Sequence, residues 1–282
     1  MAIHIKNLNH VYNADSPFAV AALDRVDLDI ADGEYVCVIG HTGSGKSTLV
    51  QHFNGILKPT SVEEMVVEGV DLTEKKPDLR TLRKNVGMVF QYPEYQLFEQ
   101  TVFDDIAFGP KNMGESEENV KIAVKESMKL VGLDESLEQV SPFELSGGQK
   151  RRAAIAGVLS MRPQVLVLDE PIAGLDPQGK QEILNVIDAY RERVHATVIM
   201  ISHNMDDIVR VADRVIVMNH GRKMMDGTPN AVFAEPEKIL ELGLGLPTVT
   251  RIVRELNKRG KNLPADLCRP EELIAYLTEG RA

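Results

Sequence analysis

Eight residues, Gly40-His41-Thr42-Gly43-Ser44-Gly45-Lys46-Ser47, fit the phosphate-loop pattern G-x-x-x-x-G-K-[ST]. Glycines at this spacing let backbone N–H groups curl around anionic oxygens, and a helix that follows adds the positive end of its dipole. In that chemistry Lys46 reaches the β- and γ-phosphates of a nucleotide, Ser47 ligates Mg²⁺ through its hydroxyl, and Thr48 opens the helix. A second group follows the apolar run Val165-Leu166-Val167-Leu168, which ends in Asp169-Glu170. Asp169 suits Mg²⁺, in part through water, and Glu170 suits a general base or a residue that positions water on the γ-phosphate. Gln91 follows another apolar run and could reach a metal or a water; His203 follows a third and could contact the γ-phosphate. Ser146-Gly147-Gly148-Gln149 is a candidate anion site at a helix start, although such a segment alone is a common loop. Tyr12 is either packing at a strand end or a flat face for adenine, an interaction of about 1–3 kcal/mol per base, and its type does not choose between them.

The elements that must position these residues are readable from hydrophobic period. Tyr35-Val36-Cys37-Val38-Ile39 reads as a buried strand feeding the glycine loop, and Thr48 to Phe53 as the first turns of a helix. Strand, loop and helix in that order are what the motif requires. Residues 3 to 30 alternate apolar and polar in part, as in Ile3-His4-Ile5 and Val26-Asp27-Leu28-Asp29-Ile30, which predicts antiparallel strands with one solvated face. Glu64 to Gly69 and Val86 to Phe90 read as further strands. From about 95 to 160 the strand signals stop, and Val120 to Val131 has helical spacing, so a helical subdomain is expected between two halves of a nucleotide core. Val165 to Leu168 and Thr197 to Ile201 read as buried parallel strands with Asp169 and His203 at one sheet edge, where open α/β sheets bind ligands. Val215 to Met218 starts a hairpin, and the tail reads as helices over Pro247 to Asn257 and from Pro270, with no visible chemistry.

Composition limits the rest. With 282 residues, 43% hydrophobic and 26% charged, the chain can hold a large domain plus an appendage. A net charge of −10 argues against a nucleic-acid surface. No stretch approaches the roughly 18 apolar residues of a spanning helix, so direct membrane insertion is not expected and work at a membrane would go through a partner. Cys37 and Cys268 lie far apart without metal-ligand spacing.

Taken in order, the phosphate loop, Gln91, Leu145-Ser146-Gly147-Gly148-Gln149, Asp169-Glu170, Ala173-Gly174-Leu175-Asp176 and His203 resemble the ATPase subunits of ATP-binding cassette transporters over roughly residues 1–230. The resemblance implies an α/β fold: a P-loop NTPase core with a mostly parallel sheet, an antiparallel β subdomain, an inserted helical subdomain, and a small helical extension over 231–282 that serves as a dimer contact. It implies that Tyr12 stacks on adenine and that Gln91 opens a loop sensing nucleotide and contacting a membrane partner, with Ser47, Gln91 and Asp169 around Mg²⁺. Glu170 would be the catalytic carboxylate, with Asp176 near the nucleotide. Ser146, Gly147, Gly148 and Gln149 would bind the γ-phosphate held by the opposite subunit, so two cassettes would sandwich two ATP molecules.

Phe90-Gln91-Tyr92-Pro93-Glu94-Tyr95-Gln96-Leu97-Phe98, Asp105 to Pro110 and Leu242 to Pro247 look more specifically like the energy-coupling-factor transporters of vitamins or metal ions, and Asp169 to Pro177 like the second of their two ATPase subunits. That implies a related ATPase as partner, a transmembrane coupling protein with arginine-bearing helices, substrate-binding membrane components, and a peripheral place on the cytoplasmic face of the cell membrane. Glu94 and Glu99 are expected to meet those arginines. Rival readings are a homodimeric cobalt or nickel importer ATPase and the ATPase of an ordinary importer. A chromosome-organising ATPase would insert a coiled coil between Lys46 and Leu145, and no sustained heptads occur there.

Overall fold

The computed structural model describes residues 1–278. Three five-residue strands, β3 (Tyr35–Ile39), β7 (Val165–Asp169) and β8 (Thr197–Ile201), are buried at every position. A strand covered on both faces has no reason to alternate, which is why these runs are continuously apolar. With β6 (Val86–Val89), β9 (Arg214–Asn219) and β10 (Arg222–Gly227) they form a six-stranded sheet in the order β10-β9-β3-β8-β7-β6. All neighbours run parallel except the β9–β10 hairpin. The alternating segments β1 (Ile3–Tyr12) and β2 (Val20–Ile30) pair antiparallel, and with β4 (Glu64–Val67) and β5 (Val70–Asp71) they make a second, four-stranded sheet.

Successive residues of β3 serve opposite layers. Val36 and Val38 pack with Ile3, Leu28, Leu49 and Phe53, on the side of the second sheet and of α1 (Lys46–Phe53). Tyr35, Cys37 and Ile39 pack on the side of the helices inserted between β6 and β7. After α2 (Leu79–Asn85), which precedes β6, those helices are α3 (Val102–Asn112), α4 (Glu117–Leu130) and α5 (Gly147–Leu159). α3 and α4 start on side-chain caps, Thr101 and Ser116, whose hydroxyls accept otherwise orphaned N–H groups. Between β7 and β8 runs α6 (Pro177–Val194), and α7 (Met205–Val211) follows β8.

The tail contributes α8 (Pro229–Phe233), α9 (Pro236–Glu241), α10 (Thr248–Lys258) and α11 (Pro270–Thr278). α10 is fastened to α7: the Asp206 carboxylate accepts from both the N–H and the hydroxyl of Thr248, each at 2.7 Å. The guanidinium of Arg269 donates to the Val209 carbonyl at 2.6 Å. The expected extension over 231–282 includes four residues, 279–282, that lie outside the described residues. No helix among the described residues is long and apolar enough to cross a membrane.

A buried histidine pair locks β1 to α1. The Thr48 carbonyl can only accept, so His52 carries its proton on Nδ1 and donates there at 2.7 Å. Its Nε2 is then free to accept from His10 Nδ1–H at 3.2 Å, a proton His10 shares with the Lys58 carbonyl. Burial, opposed in part by the carbonyls, pushes His52 down to about 4 from 6.5. The unfolded chain therefore takes up a proton that the folded chain refuses, and stability falls as pH drops from 6.5 towards 4. Between pH 7 and pH 5 this group should remove about 2 kcal/mol. Denaturant titrations at the two pH values should show a smaller difference in His52→Gln than in the unmodified chain, and an equal difference would remove His52 as the cause.

Candidate active site

β3 delivers the chain to the glycine loop at the carboxyl edge of the main sheet. Gly40 has no room for a side chain: a Cβ there would lie 2.4 Å from the Met218 carbonyl oxygen. Gly45 adopts φ 101° immediately before α1, and a Cβ there would meet the Ala22 carbonyl at 2.5 Å. The loop curls back on Lys46, whose Nζ donates to the carbonyls of Gly40 (2.8 Å) and His41 (3.0 Å). Burial lowers the Lys46 pKa, and the nearby charges of Glu170 and Asp169 oppose the shift. The His41 ring lies 2.7 Å from Asn219 Oδ1 and 2.7 Å from the Thr42 carbonyl, so it supports the loop from the β9–β10 turn. Ser44 is fully buried, and its hydroxyl has no hydrogen-bond partner among the described residues. A buried, unsatisfied hydroxyl inside a ring of backbone amides fits an anionic ligand rather than a plain turn. Gly43, by contrast, is open around its Cα.

Across the sheet the ladder pairs Asp169 of β7 with Ile201 of β8, so both strands end level with each other. Asp169 is buried and hydrogen-bonded to the Ser47 side chain; burial raises its pKa and that bond partly opposes the rise. The next residue, Glu170, takes φ 52°, a left-handed conformation that is uncommon outside glycine. The extended backbone of β7 thus ends at Asp169. The Glu170 carboxylate consequently lies between two partners, His203 Nε2 at 2.8 Å from Oε1 and the Gln91 amide, which donates to Oε2 at 3.3 Å. Gln91, Glu170 and His203, which the sequence spreads over three segments, meet on one carboxylate. Ser47, Lys46 and Asp169 meet beside them.

Tyr12 stands at the end of β1, where its hydroxyl lies 3.1 Å from the Thr48 hydroxyl and its ring meets His10 edge-on at 4.5 Å. It remains 38% exposed, so one face of the ring is open beside the start of α1. Ser146 behaves differently. It caps α5, accepting from the Gln149 N–H, while the Gln149 side chain accepts from the Ser146 N–H. Ser146, Gly147 and Gly148 are exposed, nothing crowds the two glycines, and among the described residues the Ser146 hydroxyl bonds only to the Gln149 N–H. Asp176 caps α6 by accepting from the Gly179 N–H at 2.7 Å.

Two features differ from the sequence reading. Glu94 is not available to a partner's arginine, because its carboxylate is held by the buried Arg151 at 2.8 and 3.0 Å. Glu99 is half-buried and makes no ion pair among the described residues. The tail also has a place in the site: Leu246, Arg251 and Arg254 form one wall of a cleft of about 690 Å³ whose other wall includes Glu170, His203 and Lys180. Neither Arg151 nor the tail carries a local signal for this, since both act by reaching across the fold. Among the described residues no group of three or more His, Cys, Asp or Glu is arranged to hold a metal. The oxygen set of Ser47, Asp169 and Gln91 instead suits a Mg²⁺ that draws most of its ligands from water and nucleotide phosphates.

Comparison with known proteins agrees with this geometry. The ABC transporter family matches residues 23–173. The energy-coupling factor transporter ATP-binding protein EcfA2 of Caldanaerobacter subterraneus subsp. tengcongensis is 54% identical over 277 residues, which cover 98% of this chain and 96% of that protein. EcfA2 of Clostridium perfringens is 52% identical, covering 95% of this chain and 94% of that protein. Among solved structures, CbiO1 of Clostridium perfringens, part of the ABC transporter complex CbiONQ, superposes with a TM-score of 0.74 at 38% identity, over 91% of this chain and 98% of that one. The cassette MJ0796, solved as a dimer in a post-hydrolysis state with ADP and Pi, superposes with a TM-score of 0.72 at 27% identity, over 80% of this chain and 98% of that one. With its phosphate loop, its paired carboxylates and these relatives, the chain belongs to the ABC transporter family of ATPases, in the branch of the energy-coupling factor transporter ATP-binding proteins.

Proposed function

We propose that this chain is the second ATPase of an energy-coupling factor importer for vitamins or other micronutrients, paired with a related ATPase around two shared ATP sites. One observation carries the reading. The phosphate loop and the Gln91–Glu170–His203 cluster lie at one sheet edge, while Ser146-Gly147-Gly148 is exposed on the separate helix α5 and bonds to none of them. A chain holding both parts of an ATP site without joining them is suited to joining them with another chain.

In this reading residues Gly40 to Thr48 hold the phosphates, Lys46 releases its two loop carbonyls to reach the β- and γ-phosphates, and Tyr12 stacks on adenine. Ser47, Asp169 and Gln91 would hold Mg²⁺, which would supply neutralisation of phosphate charge. Glu170 accepts the proton of the attacking water as the water oxygen bonds to the γ-phosphorus and the bond to the β-phosphate oxygen breaks, leaving ADP and inorganic phosphate. His203 keeps the Glu170 carboxylate oriented and faces the γ-phosphate. Asp176 lies near the nucleotide at the dimer seam.

Residues 1–230 form the cassette, with the helical subdomain at about 95–160, and 231–282 form an extension at the dimer contact. The groove beside the Gln91 loop receives the transmembrane coupling protein. It measures about 340 Å³ and is lined by Ile56, Phe90, Phe98, Phe108 and the half-buried Asp105, with Glu99, which makes no ion pair among the described residues, nearby. Exposed aromatic rings around a carboxylate suit an apolar helix that carries an arginine. Substrate-binding membrane components complete the importer, and the chain works as a peripheral subunit on the cytoplasmic face of the cell membrane.

Removing the base and removing the phosphate cation should have different signatures. Glu170→Gln should keep ATP affinity within about twofold and lose on the order of a hundredfold or more in kcat. Lys46→Ala should weaken ATP binding itself by tenfold or more, read as a shifted Kd with a fluorescent ATP analogue. Turnover near normal in Glu170→Gln would take Glu170 out of the role. Tagged chain purified from membranes in mild detergent should bring down a second cassette ATPase and a transmembrane coupling protein. Recovery with copies of itself and one metal-type membrane protein would favour the homodimeric metal importer, and recovery with no membrane protein would end the transport reading.

A further inference from the structure

Arg151 sits one turn inside α5, the helix whose exposed start is Ser146-Gly147-Gly148, and only 3% of it is exposed. Nε and Nη2 donate to the two oxygens of Glu94 at 3.0 and 2.8 Å. Nη1 donates to the Ala173 carbonyl at 2.7 Å and to the Pro171 carbonyl at 3.4 Å. Glu94 belongs to the short 3₁₀ turn Pro93–Gln96, three residues beyond Gln91, and Pro171 and Ala173 lie in the turn that immediately follows Glu170. These segments come from three different parts of the sequence, and the guanidinium, carried by α5, is bonded to both of the others.

From this juxtaposition we propose that Arg151 and Glu94 are a positioning pair that makes the start of α5, the Pro93–Gln96 turn and the turn after Glu170 move as one body, so that engagement of Ser146-Gly147-Gly148 sets the placement of Glu170. The inference rests on the reading that those residues meet a nucleotide held by another subunit. Its physical basis is the nature of the pair. A guanidinium stays charged, and its planar fork matches a carboxylate two bonds at a time, which fixes orientation as well as distance. Burial raises the cost of separating the pair, because either charge alone would remain uncompensated in a low-dielectric setting. Burial by itself would raise the Glu94 pKa, yet Arg151 holds it below the usual carboxylate range, so the pair stays ionised at neutral pH. Beside it, Tyr92 occupies the left-handed region at φ 54°, between Gln91 and Pro93. That residue is a natural articulation: the segment containing Glu94 moves with α5 while Gln91 turns against it.

The test uses the complete ATPase assembly in detergent or nanodiscs, with Glu94→Gln, Glu94→Asp, Arg151→Lys and the double variant Glu94→Gln/Arg151→Lys. ATP sites are counted first with Mg²⁺ chelated, and kcat is then expressed per bound ATP, so that loss of folded protein drops out. Glu94→Gln and Arg151→Lys should each lower kcat per site about tenfold with KM for ATP within twofold. Glu94→Asp should recover part of that loss, and the double variant should be no worse than the poorer single variant. Unchanged kcat per bound ATP, or losses that multiply in the double variant, would overturn the proposal. If Arg151→Lys does not fold, Glu94→Gln decides alone, since it leaves both carbonyl bonds of Arg151 in place. Failure of the unmodified assembly to take up substrate with ATP would end the transport reading while leaving the kcat comparison intact.

Discussion

The parallel ladder between β7 and β8 is the constraint on which the site depends. Asp169 pairs with Ile201, and one step on, the Glu170 N–H donates to the Ile201 carbonyl at 3.1 Å. That last bond holds the backbone of Glu170 to the neighbouring strand after the regular ladder has ended, and its left-handed φ then swings the carboxylate towards Gln91 and His203. A ladder slipped by one residue would send Asp169 and His203 to different levels of the edge and turn every buried valine and leucine of β7 to the other layer. Burial on both faces forbids that slip, because each strand presents distinct side chains to two packed cores.

Charge at this edge is costly, and the fold manages it by pairing groups locally. Lys46 is buried, bonded to two carbonyls and stabilised by the carboxylates it faces. Asp169 is buried and hydrogen-bonded to the Ser47 side chain. In the phosphate loop the buried Ser44 hydroxyl is left without a hydrogen-bond partner among the described residues. The Lys46 ammonium is therefore satisfied by the loop's own carbonyls until an anion offers it, and the bare Ser44 hydroxyl, a stronger partner. Arg151 follows the same logic farther out, where a single buried cation satisfies a carboxylate and two carbonyls that the surrounding turns cannot bond internally.

The strands and the principal motifs were legible because their signals are local. Continuous apolar runs name β3, β7 and β8, alternation names β1 and β2, and the glycine loop is identified by spacing together with the strand and helix on either side. Glu94 was misread for the opposite reason. Its acidic type and position beside Gln91 suggested an external arginine, whereas the arginine it meets lies 57 residues later in the same chain. The tail shows no motif, yet Asp206 anchors Thr248 and brings Arg251 and Arg254 to the wall of the cleft beside Glu170.

By itself the sequence determined which residue types stand at the ends of buried strands, and so the chemistry on offer: a lysine and a serine in a glycine loop, a pair of carboxylates, a glutamine and a histidine. Hydrophobic period is a property of neighbouring residues, and it suffices to name the strands and their exposed ends. The tertiary structure alone decided that Gln91 and His203 share one carboxylate, that His52, fixed by the Thr48 carbonyl, sets the tautomer of His10 behind Tyr12, and that Glu94 belongs to Arg151. Each of these is a meeting of groups distant in sequence, set by strand order, register and the direction a side chain takes from a single left-handed residue. None of those quantities is encoded in a short window of the chain.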